Sequence, residues 1–144
     1  MNHLDGGEAP LTVAVKYSDT ATAQLLVDRG AVDADGKALL VAAQHDDANL
    51  VRLTLKAKAP IDTTDKFGMT PLMLATVGGF VDRRPETVDL LIKSGANVNA
   101  VDKLGRTALD YAVTDKVISD RLRAAGAENS GQPGGQPKLR PPSK

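Results

Sequence analysis

The sequence predicts an all-α solenoid, about four helix-turn-helix repeats linked by short hairpin loops and stacked in a row. Three observations carry that prediction. The phrase Leu25-Leu26-Val27-Asp28-Arg29-Gly30-Ala31 is echoed at Leu90-Leu91-Ile92-Lys93-Ser94-Gly95-Ala96, and more weakly at residues 53–59 and 122–127. Ahead of each copy lies an apolar segment with a small residue at one fixed place: Ala14, Ala42, Ala75 and Ala112, spaced 28, 33 and 37 residues apart. The middle spacing is the period of a two-helix repeat preceded by a turn. The hydrophobic fraction is an ordinary 42%, yet aromatics make up only 3% and alanine supplies about one residue in seven. A core of Ala, Leu and Val without large rings suits thin, closely stacked helix pairs.

The repeats are read as residues 8–34, 35–64, 65–101 and 102–127, after a lead-in over 1–7 and before a tail over 128–144. In the first, the Leu25-Leu26-Val27 stretch builds the second helix and Gly30 ends it in the left-handed conformation. The hairpin into the second repeat is five residues short: 8 residues separate Ala31 from Leu39, against 13 from Ala59 to Leu72 and 13 from Ala96 to Leu109. Only a turn is expected there. Lys58 stands where Gly30, Gly95 and Gly126 stand in the other copies. A left-handed lysine would be strained by about 1–2 kcal/mol, so that helix end is expected to differ in shape.

The third repeat has the clearest local chemistry. Asp65-Lys66-Phe67-Gly68 reads as a hairpin tip, Thr70 as an N-cap and Pro71 as the first helical residue, where no N–H is needed. Leu72 and Ala75 share one face, and Val88, Leu91 and Ile92 recur at helical spacing in the second helix. Four extra residues fall between the two helices, within residues 78–85. The fourth repeat opens on Asp102-Lys103-Leu104-Gly105, runs two residues short and ends in Arg121 and Arg123, as a polar cap would. The tail, ENSGQPGGQPKLRPPSK, holds four of the eight prolines and almost nothing apolar, and is read as disordered.

Gly68-Met69-Thr70-Pro71-Leu72-Met73-Leu74-Ala75, the string Val88-Asp89-Leu90-Leu91-Ile92-Lys93-Ser94-Gly95-Ala96-Asn97-Val98-Asn99, and Asp102-Lys103-Leu104-Gly105-Arg106-Thr107-Ala108-Leu109-Asp110-Tyr111-Ala112 resemble the ankyrin-repeat family. The resemblance covers roughly residues 8–127. Thr-Pro-Leu and Leu-Leu-x-x-x-Gly-Ala recur in phase, which is specific for the fold; the same positions serve the scaffold in every member and leave function open. Met73 stands where the family usually has histidine, so one hydrogen-bond network between repeats is expected to be absent.

Eighteen basic against 18 acidic side chains give no net charge, although the tail carries +2 and the body −2. That balance argues against a nucleic-acid or membrane surface as the main business of the chain. Without cysteine there are no disulfides, thiolate metal sites or cysteine nucleophiles, and two histidines (His3 and His45) exclude a histidine-rich metal site. No phosphate loop, Gly-x-Ser-x-Gly, His-Glu-x-x-His or calcium loop occurs, so neither a cofactor nor a catalytic residue is assigned and the chain is read as no enzyme. Asp46-Asp47 beside His45 reads as a solvated helix end whose acids favour the next helix N-terminus.

Ankyrin repeats bind proteins through hairpin tips and the exposed side of each first helix, which together form a concave face. On this sequence the resemblance implies Lys16 and Tyr17, then Gln44 and His45; Lys66, Phe67, Met69 and Val77; and Lys103, Leu104, Arg106, Thr114 and Asp115. Phe67, Met69 and Leu104 are apolar where a tip would normally be polar, and Lys66, Lys103 and Arg106 flank them. They form either an apolar centre with a basic rim or packing between adjacent hairpins. Phe80, in the insertion with Arg83, either tucks onto neighbouring helices or stands as an exposed anchor. The expectation is a non-enzymatic protein-interaction module, monomeric alone and cytoplasmic, binding another protein and neither nucleic acid nor membrane. The alternative is a dedicated inhibitor or immunity-type protein that blocks a partner enzyme, with the insertion as its plug.

Overall fold

The computed structural model describes residues 9–77, 85–112 and 115–127. Eight helices are present among them: α1 (Pro10–Lys16), α2 (Thr20–Asp28), α3 (Lys37–Gln44), α4 (Ala48–Lys56), α5 (Pro71–Thr76), α6 (Glu86–Lys93), α7 (Ala108–Tyr111) and α8 (Lys116–Ala124). They pair as α1–α2, α3–α4, α5–α6 and α7–α8. Each first helix packs on the next (α1 on α3, α3 on α5, α5 on α7), and each second helix does the same (α2 on α4, α4 on α6, α6 on α8). The result is two layers of short helices, with no strand among the described residues.

The fixed small residue explains the close spacing of the first layer. Ala14, Ala42, Ala75 and Ala112 are all buried, and Leu11, Val15, Leu39, Leu72 and Leu109 fill the space around them. From the second layer Leu50, Val51, Val88, Leu91, Ile118 and Leu122 close the core. Met73 is buried too, so an apolar contact occupies the place where the resemblance would put a histidine. Neither helix of a pair could bury its stripe alone, so stability is shared between neighbours.

Helix starts follow their side chains. Asp19, Asp47 and Asp115 cap α2, α4 and α8, each carboxylate accepting from the N–H three residues on. Thr70 caps α5 ahead of Pro71, and Thr107 forms a reciprocal box with Asp110 at α7. The short connection before α3 is only a turn, and Asp33 holds it: its carboxylate accepts from Leu39 N–H at 2.8 Å and Ala38 N–H at 3.2 Å. Burial pushes this carboxyl above the ordinary range, although those two N–H groups pull the other way.

The expectation of a differently shaped end for α4 is corrected. Lys58 takes φ 66, and Ala59 N–H donates to Thr54 O while Lys58 N–H donates to Leu55 O. The same pair of bonds closes α2 at Gly30-Ala31, α6 at Gly95-Ala96 and α8 at Gly126-Ala127. Four identical closures place each unit on the next in one register, and the lysine accepts the strain that this register imposes.

Candidate functional site

The apolar tips are built by two turns with the same wiring. At the third repeat Asp65 N–H donates to Met69 O at 3.1 Å, Gly68 N–H returns to Asp65 O, and the Asp65 carboxylate accepts from Phe67 N–H at 2.8 Å and Met69 N–H at 3.0 Å. At the fourth, Asp102 repeats every one of these bonds with Arg106, Gly105 and Leu104. One further bond joins the turns: Lys103 N–H donates to Phe67 O at 3.0 Å. At Gly68, φ is +78 and a Cβ would lie 2.8 Å from Lys103 N, so only glycine lets the turns approach this closely. The recurrent Asp-Lys-x-Gly therefore fixes both the shape of each tip and the contact between them.

With the backbone held, Phe67 and Leu104 point outward and are 57% and 65% exposed. Neither is buried against the adjacent hairpin. Lys66 Nζ sits 5.2 Å from the Phe67 ring centroid, close enough for a cation–π contact. Lys103 is exposed, while Arg106 is half-buried over the Tyr111 ring at 5.9 Å. Tyr111 also donates its hydroxyl to the Asp102 carboxylate. Burial first, and then the Asp102 carboxylate, push that phenol above its usual range, with Arg106 opposing. Met69 differs from the other tip residues, being half-buried against the core.

The remaining candidates do not join this patch. Tyr17 and His45 close the C-terminal ends of α1 and α3, whereas the tips precede the N-termini of α5 and α7. Tyr17 is 76% exposed, and the Ser18 hydroxyl lies 3.4 Å from His45 Nδ1, so these two form a second group at the other end of the first layer. Val77 belongs to that end as well, half-buried as the C-cap of α5. Lys16 and Gln44 are exposed beside it. Asp47 serves as the cap of α4, and Asp115 as the cap of α8. Phe80, Arg83 and Thr114 lie outside the described residues, as do the tail and the lead-in.

Three features were not anticipated. Asp65 and Asp102, rather than the glycines alone, hold the tips, and their signal was the in-phase repeat of Asp-Lys-x-Gly. Tyr111 as the support of Asp102 had no such signal, because the equivalent position in the third repeat is Leu74. On the second-helix side a groove of about 480 Å³ is lined by Arg52, Pro85, Glu86, Asp89, Leu90 and Lys93. Its charges largely meet one another: Arg52 bonds Glu86 at 3.0 Å, and Asp89 pairs with Arg121.

Comparison with known proteins places this geometry. The family described as ankyrin repeats (3 copies) matches residues 39–123. Mouse Inversin is 41% identical over 71 residues, covering 49% of this chain and 6% of that protein. Mouse neurogenic locus notch homolog protein 1 is 36% identical over 115 residues, covering 74% of this chain and 4% of its own length. A glycerophosphocholine phosphodiesterase of Schizosaccharomyces pombe is 36% identical over 96 residues, covering 64% of this chain and 8% of its own. The chain spans between 4% and 12% of the length of eight such relatives.

Proposed function

The chain belongs to the ankyrin-repeat family, and from that premise we propose that it is a non-enzymatic module that binds a partner protein through the paired tips of its third and fourth repeats. One observation carries the reading: two large apolar side chains, Phe67 and Leu104, stand exposed on rigid turns bonded directly to each other. Folding gains little from them there, whereas a partner covering both would remove a compact apolar patch from water. Lys66, Lys103 and Arg106 supply the polar rim, while Met69 is half-buried against the core. Rigid turns also mean that little ordering entropy opposes docking. Tyr17 and His45, on the other end of the first layer, would extend the contact only for a partner that runs along the whole face.

The test is the double variant Phe67→Ala with Leu104→Ala. Partner binding should weaken by more than about 2 kcal/mol, as for central interface anchors, while the thermal midpoint stays nearly unchanged. Surviving affinity with a collapsed midpoint would make both residues structural and move the site elsewhere. The inhibitor reading depends on residues 78–84, which lie outside the described residues. Deleting 79–82 separates it: a module using the tips keeps its affinity, and an inhibitor using the insertion loses potency.

A further inference from the structure

The tips of the third and fourth repeats turn their acids to their own backbones and their two lysines outward, with Arg106 half-buried over Tyr111. Asp65 and Asp102 accept two backbone N–H groups each, and Asp102 takes the Tyr111 hydroxyl besides. Other acids of these repeats are engaged in the same way: Asp62 accepts from Asn97 N–H at 2.9 Å and Asp110 from Thr107 N–H at 2.9 Å. A carboxylate met by N–H dipoles projects less field outward than a bare one. The cations behave differently. Among the described residues Lys37, Arg52, Lys56, Lys116 and Arg121 each have an acidic partner, whereas Lys66, Lys103 and Arg106 are in no ion pair, as is also true of Arg29, Lys58, Lys93 and Arg123 elsewhere.

From this arrangement we infer that the partner segment received at the tips is acidic: an extended stretch of chain with Asp or Glu on either side of a large apolar residue. The inference rests on the tips being the binding face. The apolar residue covers Phe67 and Leu104, and its flanking carboxylates meet Lys66, Lys103 and Arg106. The N–H groups of Phe67, Gly68 and Met69, and of Lys103 through Arg106, are all used within the two turns. Few tip amides are thus left to capture an anion, Lys66 N–H being the exception, and side-chain cations do most of the recognising. A basic segment would set like charges against the rim and be rejected. A single-stranded nucleic acid is matched less well, since Leu104 offers no ring for base stacking beside Phe67.

The experiment pans a random peptide library on the full chain, then measures the affinity of the most enriched synthetic peptide. Three proteins are compared: wild type, Lys66→Glu with Lys103→Glu, and Phe67→Ser with Leu104→Ser, each shown to be folded by circular dichroism. The expected result is enrichment of Asp and Glu around a large apolar residue. Affinity should fall at least roughly tenfold in both variants and weaken as salt is raised, as screening of surface charges requires. Peptides without acidic enrichment that still lose affinity in the Phe67→Ser, Leu104→Ser protein overturn the acidic partner and leave the binding face standing. Peptides indifferent to both variants overturn the face and the inference together. No enrichment, or displacement of the peptide by an equimolar single-stranded RNA of similar length, also overturns it.

Discussion

Replacing Lys58 with glycine should make the protein more stable. Lys58 occupies the left-handed position that closes α4, with φ 66, and its amide and that of Ala59 make the same bonds as the glycine closures of α2, α6 and α8. At those glycines a Cβ would meet nothing within 4 Å, so the closure itself crowds no side chain and the strain at Lys58 is conformational. Its release is worth about 1–2 kcal/mol, from which the greater freedom of glycine in the unfolded chain removes about 0.4–1 kcal/mol. Taking the middle of each range leaves a net gain of about 0.8 kcal/mol. For roughly 120 folded residues, whose unfolding entropy is about 0.25 kcal/mol/K, that raises the midpoint by about 2–4 °C. The exposed lysine side chain is in no ion pair, so its loss should subtract little. Urea and thermal unfolding by circular dichroism measure the effect, with Lys58→Ala as control. Alanine keeps the strain and should leave stability nearly unchanged, and Gly95→Ala should lower it. If Lys58→Gly is neutral or destabilising while the urea slope stays constant, the argument from backbone strain fails.

Two further changes probe the turns. Gly68→Ala adds a Cβ 2.8 Å from Lys103 N at a residue of positive φ; losing the Lys103–Phe67 bond as well should lower stability by about 2–3 kcal/mol in urea unfolding and weaken binding at the tips. A variant with the wild-type midpoint would mean that the two turns are not locked to each other. Asp33 and Asp19 should respond to pH with opposite signs. The Asp33 carboxyl sits above 3.8, so its favourable contribution is present below pH 3.8 and lost as pH rises through the raised folded value. The deficit of Asp33→Asn relative to wild type should therefore shrink as pH climbs, and a constant deficit would contradict the assignment. Asp19 is held below 3.8 by the hydroxyl and N–H of Thr22, so its contribution is present above pH 3.8 and lost as pH falls through the lowered value. The Thr22→Val protein, which lacks the hydroxyl, should show a smaller loss in acid than wild type.

The repeat was legible because its marks are local. Thr70-Pro71 and Thr107 announce helix starts through the bonds a hydroxyl can make to the following amides, and Gly30, Gly95 and Gly126 announce helix ends through a conformation few other residues accept. Lys58 misled for the same reason. Propensity disfavours lysine there, but the register shared by four stacked units overrides a preference of one or two kcal/mol. The exposure of Phe67 and Leu104 was undecided in the sequence, because an apolar tip residue can fold onto its neighbour or away from it. The outcome depends on the Lys103–Phe67 bond, a contact across 36 residues that no window of sequence contains. Tyr111 was hidden similarly, since its bond to Asp102 exists only once α7 has docked under the tip.

The equivalence of the two tips separates what folding needs from what it leaves free. Asp65 and Asp102 do the same work in the first position, and Gly68 and Gly105 do it in the fourth. The fifth positions diverge according to local packing: Met69 turns down onto the core, while Arg106 lies across Tyr111. The second and third positions meet no such demand. Their side chains are exposed in both tips, and a soluble turn would be served there by any polar residue. Both tips instead place lysine second and a large apolar residue third, in Lys66-Phe67 and Lys103-Leu104. Because the turn is closed by Asp and Gly alone, exchanging these four residues should hardly disturb the fold. Their repeated pairing of a cation with an exposed apolar side chain is thus a feature of this surface that the scaffold does not require, and it is the reason the proposed binding is tested there first.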